Sequence, residues 1–163
     1  MNANAFRHFY DYHFAENRKI WDSVTQLSYE QFIQHVDYSY GSVRDQTVHI
    51  MSCDETWFSE LRGVEPSEPF PAADFDDRKN IRTHWDGLEQ SMRDYLAELR
   101  DEMLFEKPIK EPEDDQELIV WQVLLHVANH GTDHRAQLLR FLKDLGVETT
   151  SQDYIFYVYD HLL

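Results

Sequence analysis

Leu124-Leu125-His126-Val127-Ala128-Asn129-His130-Gly131-Thr132-Asp133-His134-Arg135-Ala136-Gln137-Leu138 decides how this chain is read. Its apolar residues recur at helical spacing, which predicts a buried helix. His126, His130 and His134 stand four residues apart on that helix, one above the other. His130 and His134 share a stripe with Val123, Val127, Gln137 and Phe141, and the apolar members turn that stripe toward the core. A buried imidazole without a partner forfeits its hydrogen bonds to water. One divalent cation about 2.0–2.1 Å from each ring nitrogen would satisfy both histidines. The spacing leaves two readings open, a metal-ligating pair or two hydrogen-bonded core histidines, because HxxxH fixes only two ligands. Gly131 follows His130, so the glutamate of the HExxH proteases is missing. A mid-helix glycine costs about 1 kcal/mol relative to alanine, which points to a close approach of backbone, ligand or a crossing helix at Gly131.

Working outward, this helix is expected over residues 116–145, with Gly146 as its stop. A first helix is expected over residues 4–25, where Phe6, Phe9, Tyr10, His13, Ile20, Trp21 and Val24 form a stripe. Ser28-Tyr29-Glu30-Gln31 is a capping-box pattern for a short turn through Phe32. The second long helix starts at Ser42, a good N-cap with Asp45 in the first turn, and stops at Gly63 with Pro66 soon after. A loop over residues 63–74 holds Pro66, Pro69 and Pro71. The third long helix is expected over residues 76–105, and an acidic loop with Pro112 over residues 108–115. Residues 151–163 are β-prone in composition, but in a helical context, with Ser151 as cap, they read as a short fifth helix. The fold class is therefore all-α: a four-helix bundle with a short C-terminal helix, in a single domain over residues 1–163.

Composition excludes several functions. Hydrophobic residues make up 42% of the 163, enough for a packed core. Glycine and proline number only five each, which leaves little room for the turns of a β fold. The net charge is -16 and the 15 cations are scattered, so phosphate backbones are repelled and no nucleic-acid binding is expected. Cys53 is the only cysteine, so no internal disulfide forms. Residues 1–12 lack a basic start followed by an apolar run, and no apolar stretch approaches the roughly 20 residues of a membrane span. A cytoplasmic location without membrane attachment is expected.

The third ligand must come from another helix. Gln46, His49, Cys53 and Trp57 form a row on the second long helix, so His49 also faces inward and is the best candidate. Bundles build metal sites from side chains on facing helices. Three histidines leave one position for water or substrate, the arrangement of catalytic rather than structural sites. Cys53 reads as a small buried residue more readily than as a fourth ligand. His126 could orient His130 from behind or simply pack. His8, His13, His35, His84 and His161 lack partners at ligand spacing and read as surface or core filler. The acidic runs over residues 74–77 and 111–115 lack the alternating spacing of a calcium loop.

Asn129-His130-Gly131-Thr132-Asp133-His134-Arg135-Ala136-Gln137 resembles the NHGTxHRGQ signature of the DinB/YfiT-like superfamily. Ser42 to Ile50, followed by Glu55 and Trp57, resembles that family's second-helix segment. Ala136 departs from the usual glycine by one methyl group. The resemblance spans nearly the whole chain. It implies a bundle in up-down-down-up order with a long crossover, and a divalent metal, often zinc or nickel, held by His49, His130 and His134. It also implies a homodimer. Characterised members include thiol-dependent S-transferases and a mycothiol-dependent isomerase, so the resemblance implies a metal-dependent thiol transferase acting on a small-molecule thiol and an electrophile. Two alternatives stand beside it. One is a non-catalytic metal-binding stress-response protein, whose site would be closed by a fourth protein ligand. The other is a metal-free interaction module, whose histidines would titrate near 6.5.

Overall fold

The structure is a computed structural model and describes residues 1–65, 70–110 and 113–162. Pro66, Pro69, Glu111, Pro112 and Leu163 lie outside the described residues. Among the described residues there are six α-helices and no strand: α1 (Ala3–Val24), α2 (Tyr29–Ile33), α3 (Val43–Arg62), α4 (Arg78–Glu98), α5 (Val120–Asp144) and α6 (Tyr154–Asp160).

Most helix starts follow from local chemistry. Asn2 Oδ1 accepts from the Ala5 N–H to open α1. Ser28 and Gln31 form the reciprocal capping box of α2. Ser42 Oγ accepts from the Asp45 N–H at 3.0 Å to open α3. Asp77 does the same for α4 through Lys79 N–H at 2.8 Å. Helices α3 and α5 both run out at glycines in the left-handed region, Gly63 (φ 67) and Gly146 (φ 82).

Three boundaries differ from the sequence expectation. Helix α4 stops at Glu98 instead of continuing to Phe105, and Leu99 is extended. The cause is tertiary: Arg7 of α1 donates to the Leu96 and Leu99 carbonyls, and Asp101 accepts from the Ala3 N–H. A short 3-10 turn, Glu102–Phe105, then buries Leu104. Helix α5 starts at Val120 rather than near Gln116, because Val120 N–H is bonded to the Glu106 carbonyl and Gln122 accepts from Ile119 N–H. At the C-terminal helix, Asp153 rather than Ser151 occupies the N-cap.

Side-chain pairs give the order of the bundle. Arg7 meets Leu96 and Arg78 meets Val24, so α1 and α4 are antiparallel. Tyr10 meets Leu124 and Asn17 meets Arg135, so α1 and α5 are parallel. Arg44 meets Asp76 and Arg62 meets Ser91, so α3 and α4 are parallel. Gln46 meets His134 and Trp57 meets His126, so α3 and α5 are antiparallel. The four long helices therefore run up, down, down, up, and the connection from α3 to α4 must cross the length of the bundle.

The core lies between them. Phe6, Tyr10, Phe14, Ile50, Phe58, Ile81, Trp85, Met92, Leu124 and Leu138 are all buried. Tyr10 keeps its hydroxyl satisfied by donating to the Leu124 carbonyl at 2.9 Å. Helix α6 lies on α1, where Tyr154 and Tyr157 pack around His8 and Tyr12. No helix among the described residues is long and apolar enough to cross a membrane.

Candidate metal centre

Because α3 and α5 run antiparallel and in contact, one turn of α3 faces two turns of α5. His49 Nε2 lies 3.0 Å from His130 Nε2 and 3.3 Å from His134 Nε2. The three ligand atoms lie within 4.8 Å of one another, and among the described residues the group consists of these three imidazoles. A tetrahedral ion with bonds of about 2.0–2.1 Å holds its ligand atoms about 3.3–3.4 Å apart, close to the spacing seen. A single proton can lie between His49 Nε2 and one neighbour at a time. A cation at the centre satisfies all three lone pairs at once. The donor set therefore fits a divalent metal.

The electrostatics agree with neutral rings. Burial, followed by the neighbouring His134, pushes His49 down to about 4. Burial, followed by His134 and His49, pushes His130 down to about 3. His134 is lowered chiefly by burial. Neutral imidazole is the ligating form, so proton competition with a metal is weak here. All three rings are half-buried rather than sealed in the core, so one side of the cluster faces solvent. Tyr40, itself exposed, stacks on His49 with ring centres 3.7 Å apart. Gln46, fully buried on α3, contacts His134 Nδ1 at 2.5 Å.

The other candidates fall elsewhere. Cys53 is half-buried, outside the cluster, and burial pushes its thiol up to about 12. His126 is exposed and packs edge-on against Trp57. Its ring centre is 5.8 Å from that of His130, whose buried Nδ1 has no hydrogen-bond partner, so His126 does not orient His130. His8, His35 and His161 are exposed, and His84 packs between Phe70 and Phe75.

His13 is more than filler. It is fully buried beside two other fully buried groups, Asp54 of α3 and Arg135 of α5. Arg135 Nη1 lies 3.2 Å from His13 Nδ1 and donates to Asn17 Oδ1 at 2.8 Å. Its Nε donates to Gln152 and its Nη2 to Thr132. His13 Nε2 is 3.6 Å from Asp54 Oδ2. This polar layer packs against Gly131 and Thr132, between His130 and His134 in the sequence. Sequence reasoning missed it because Arg135 is charged. Yet Arg135 follows Gly131 and Val127 at steps of four, the spacing of the most buried line of α5.

Tyr40, Ser39 and the role of Gln46 were also missed. Ser39 and Tyr40 lie in the irregular segment before α3, where no periodicity reports direction.

Comparison with known proteins agrees with this architecture. The chain is similar to Protein DinB of Bacillus subtilis (strain 168), 24% identical over 166 residues, covering 98% of this chain and 96% of that protein. The model of the DinB family matches residues 1–161, the whole helical bundle and the segments that carry all three histidines, and the chain belongs to the DinB family.

Proposed function

We propose that this protein binds one divalent cation through His49, His130 and His134 and acts as a metal-dependent thiol transferase or a related enzyme. The observation that carries metal binding is the convergence of three Nε2 atoms, with His49 Nε2 3.0 and 3.3 Å from the other two. Zinc and nickel both suit three imidazoles. A bound cation would supply a lowered pKa to a water or thiol in the remaining position.

The chain's own residues supply the rest. Three neutral rings leave the charge of the cation uncompensated, which favours an anionic ligand such as a thiolate. The solvent-facing side gives a small molecule access, and the exposed Tyr40 ring stacked on His49 offers an apolar surface for it. No cysteine or carboxylate joins the cluster among the described residues, which supports an open rather than a closed site. In the transfer, the thiol sulfur forms a bond to the electrophilic carbon. The leaving group departs with the electron pair of the broken bond, and the thiol proton passes to water.

The alternative is a non-catalytic stress-response protein in which the ion staples α3 to α5. It is favoured by the position of the ligands on two different helices.

Metal analysis of protein purified without a histidine tag is expected to find about one divalent ion per chain. Added zinc or nickel should raise the thermal midpoint of the metal-stripped protein, by the equivalent of about 2.7 kcal/mol at a hundredfold excess over Kd. His49→Ala should show no such rise, and an equal rise there would end the three-histidine assignment. Turnover of a low-molecular-weight thiol with a model electrophile then separates the two readings. A rate no greater than that of His49→Ala leaves the staple and removes the transferase.

A further inference from the structure

The side chains behind His134 admit one consistent set of donors and acceptors. The wholly buried Gln46 amide meets His134 Nδ1 at 2.5 Å, and its other end meets Ser39 Oγ at 2.6 Å. Ser39 Oγ also bonds Gln137 Oε1. Gln137 Nε2 donates to Asp133 Oδ2 at 3.0 Å, which fixes the sense of that amide, and its Oε1 lies 3.3 Å from His134 Nδ1.

As drawn, Gln46 turns Nε2 to the imidazole and Oε1 to Ser39. The one Ser39 proton then faces two carbonyl oxygens, and the lone pair of His134 Nδ1 faces a third oxygen contact, that of Gln137. Turned over, every contact pairs a donor with an acceptor. His134 Nδ1–H donates to Gln46 Oε1, Gln46 Nε2–H donates to Ser39 Oγ, and Ser39 O–H donates to Gln137 Oε1. The two ends of a carboxamide have the same shape, so hydrogen-bond pairing decides between them.

We propose that Gln46 is a positioning residue. Its carboxamide oxygen holds the His134 proton on Nδ1 and so presents Nε2 as a bare lone pair toward His49 and His130, with Ser39 as the brace that fixes the sense of the amide. The metal consequence rests on the reading that these imidazoles share a cation, and the tautomer does not. Two further observations support the assignment. Ser39 is the one non-glycine residue with positive φ among the described residues (φ 49), a conformation that serine seldom adopts and that here places its hydroxyl between the two amides. His130 Nδ1, by contrast, is buried without a partner, so this brace is specific to His134.

The first measurement is nitrogen NMR of histidine-labelled, metal-free wild type. His134 is expected as the Nδ1–H tautomer, and the Nε2–H tautomer would overturn the proposal without any variant. The second is zinc affinity by chelator competition. Gln46→Leu, which removes the acceptor, should weaken binding about 10–100-fold. Gln46→Glu, which keeps an oxygen toward His134 Nδ1 but loses the donor to Ser39, should bind more tightly than Gln46→Leu, with circular dichroism melts confirming that both variants fold. Equal weakening in the two would assign Gln46 to packing and overturn the proposal. Wild type that binds no zinc while His134 remains Nδ1–H removes the metal reading and leaves the tautomer assignment standing.

Discussion

At residue 131 the absence of a side chain is what the packing uses. A Cβ there would lie 2.5 Å from His13 Cε1 and 3.0 Å from both His13 Nδ1 and Arg135 Nη1. His13 cannot swing aside, because it is fully buried between the rings of Tyr10 and Phe14 and the Asn17 amide. The close approach expected from the sequence is thus real, and its partner is a side chain of α1. Alanine normally stabilises a helix interior by about 1 kcal/mol over glycine. Here overpacking dominates, and Gly131→Ala should destabilise by about 1–3 kcal/mol. Urea unfolding measures it, and a midpoint at or above wild type would mean that His13 gives way freely.

At the scale of the element, α3 deserves the closest test, since it presents both His49 and Gln46. Its first turn is tied by one buried hydroxyl, Ser42, which accepts from the Asp45 N–H. Ser42→Ala should cost about 1 kcal/mol, and for a chain of this size that lowers the thermal midpoint by about 2–4 °C. A scanning calorimetry midpoint unchanged within error would show that tertiary contacts alone hold the start of α3. The helices divide by how their ends are fixed. The starts of α2 and α3 were legible because Ser28 and Ser42 cap their own helices. The end of α4 was not, because the groups that stop it, Arg7 and Ala3, belong to α1.

For the whole molecule, the histidine cluster couples folding to pH. In the unfolded chain these imidazoles take up protons near 6.5. In the fold His49 and His130 are held down to about 4 and about 3, first by burial and then by His134, with His49 also acting on His130. The unfolded state therefore binds more protons below pH 6.5. The contribution of the neutral cluster is fully present above that pH and is lost progressively as the pH falls toward 3–4. The urea midpoint of the metal-free protein should drop across this window, and a variant with His49→Gln and His130→Gln should drop less. Identical pH profiles for the two would refute the coupling. Burial of a charge-forming group is a property of the assembled bundle, and no spacing in the sequence reports its size. The same division runs through the entire protein. Apolar periodicity and local caps are written within one helix, so the sequence alone determined the all-helical bundle, the stripe of His130 and His134, and the choice of His49 as their partner. The tertiary structure decided what depends on residues distant in the chain: that His49 and His130, 81 residues apart, meet at 3.0 Å; that Arg135 is buried against His13, 122 residues away; and that the Gln46 amide meets His134 Nδ1 at 2.5 Å. A hydrogen bond and a buried charge each need a partner in space, and the chain supplies that partner only once its helices have packed.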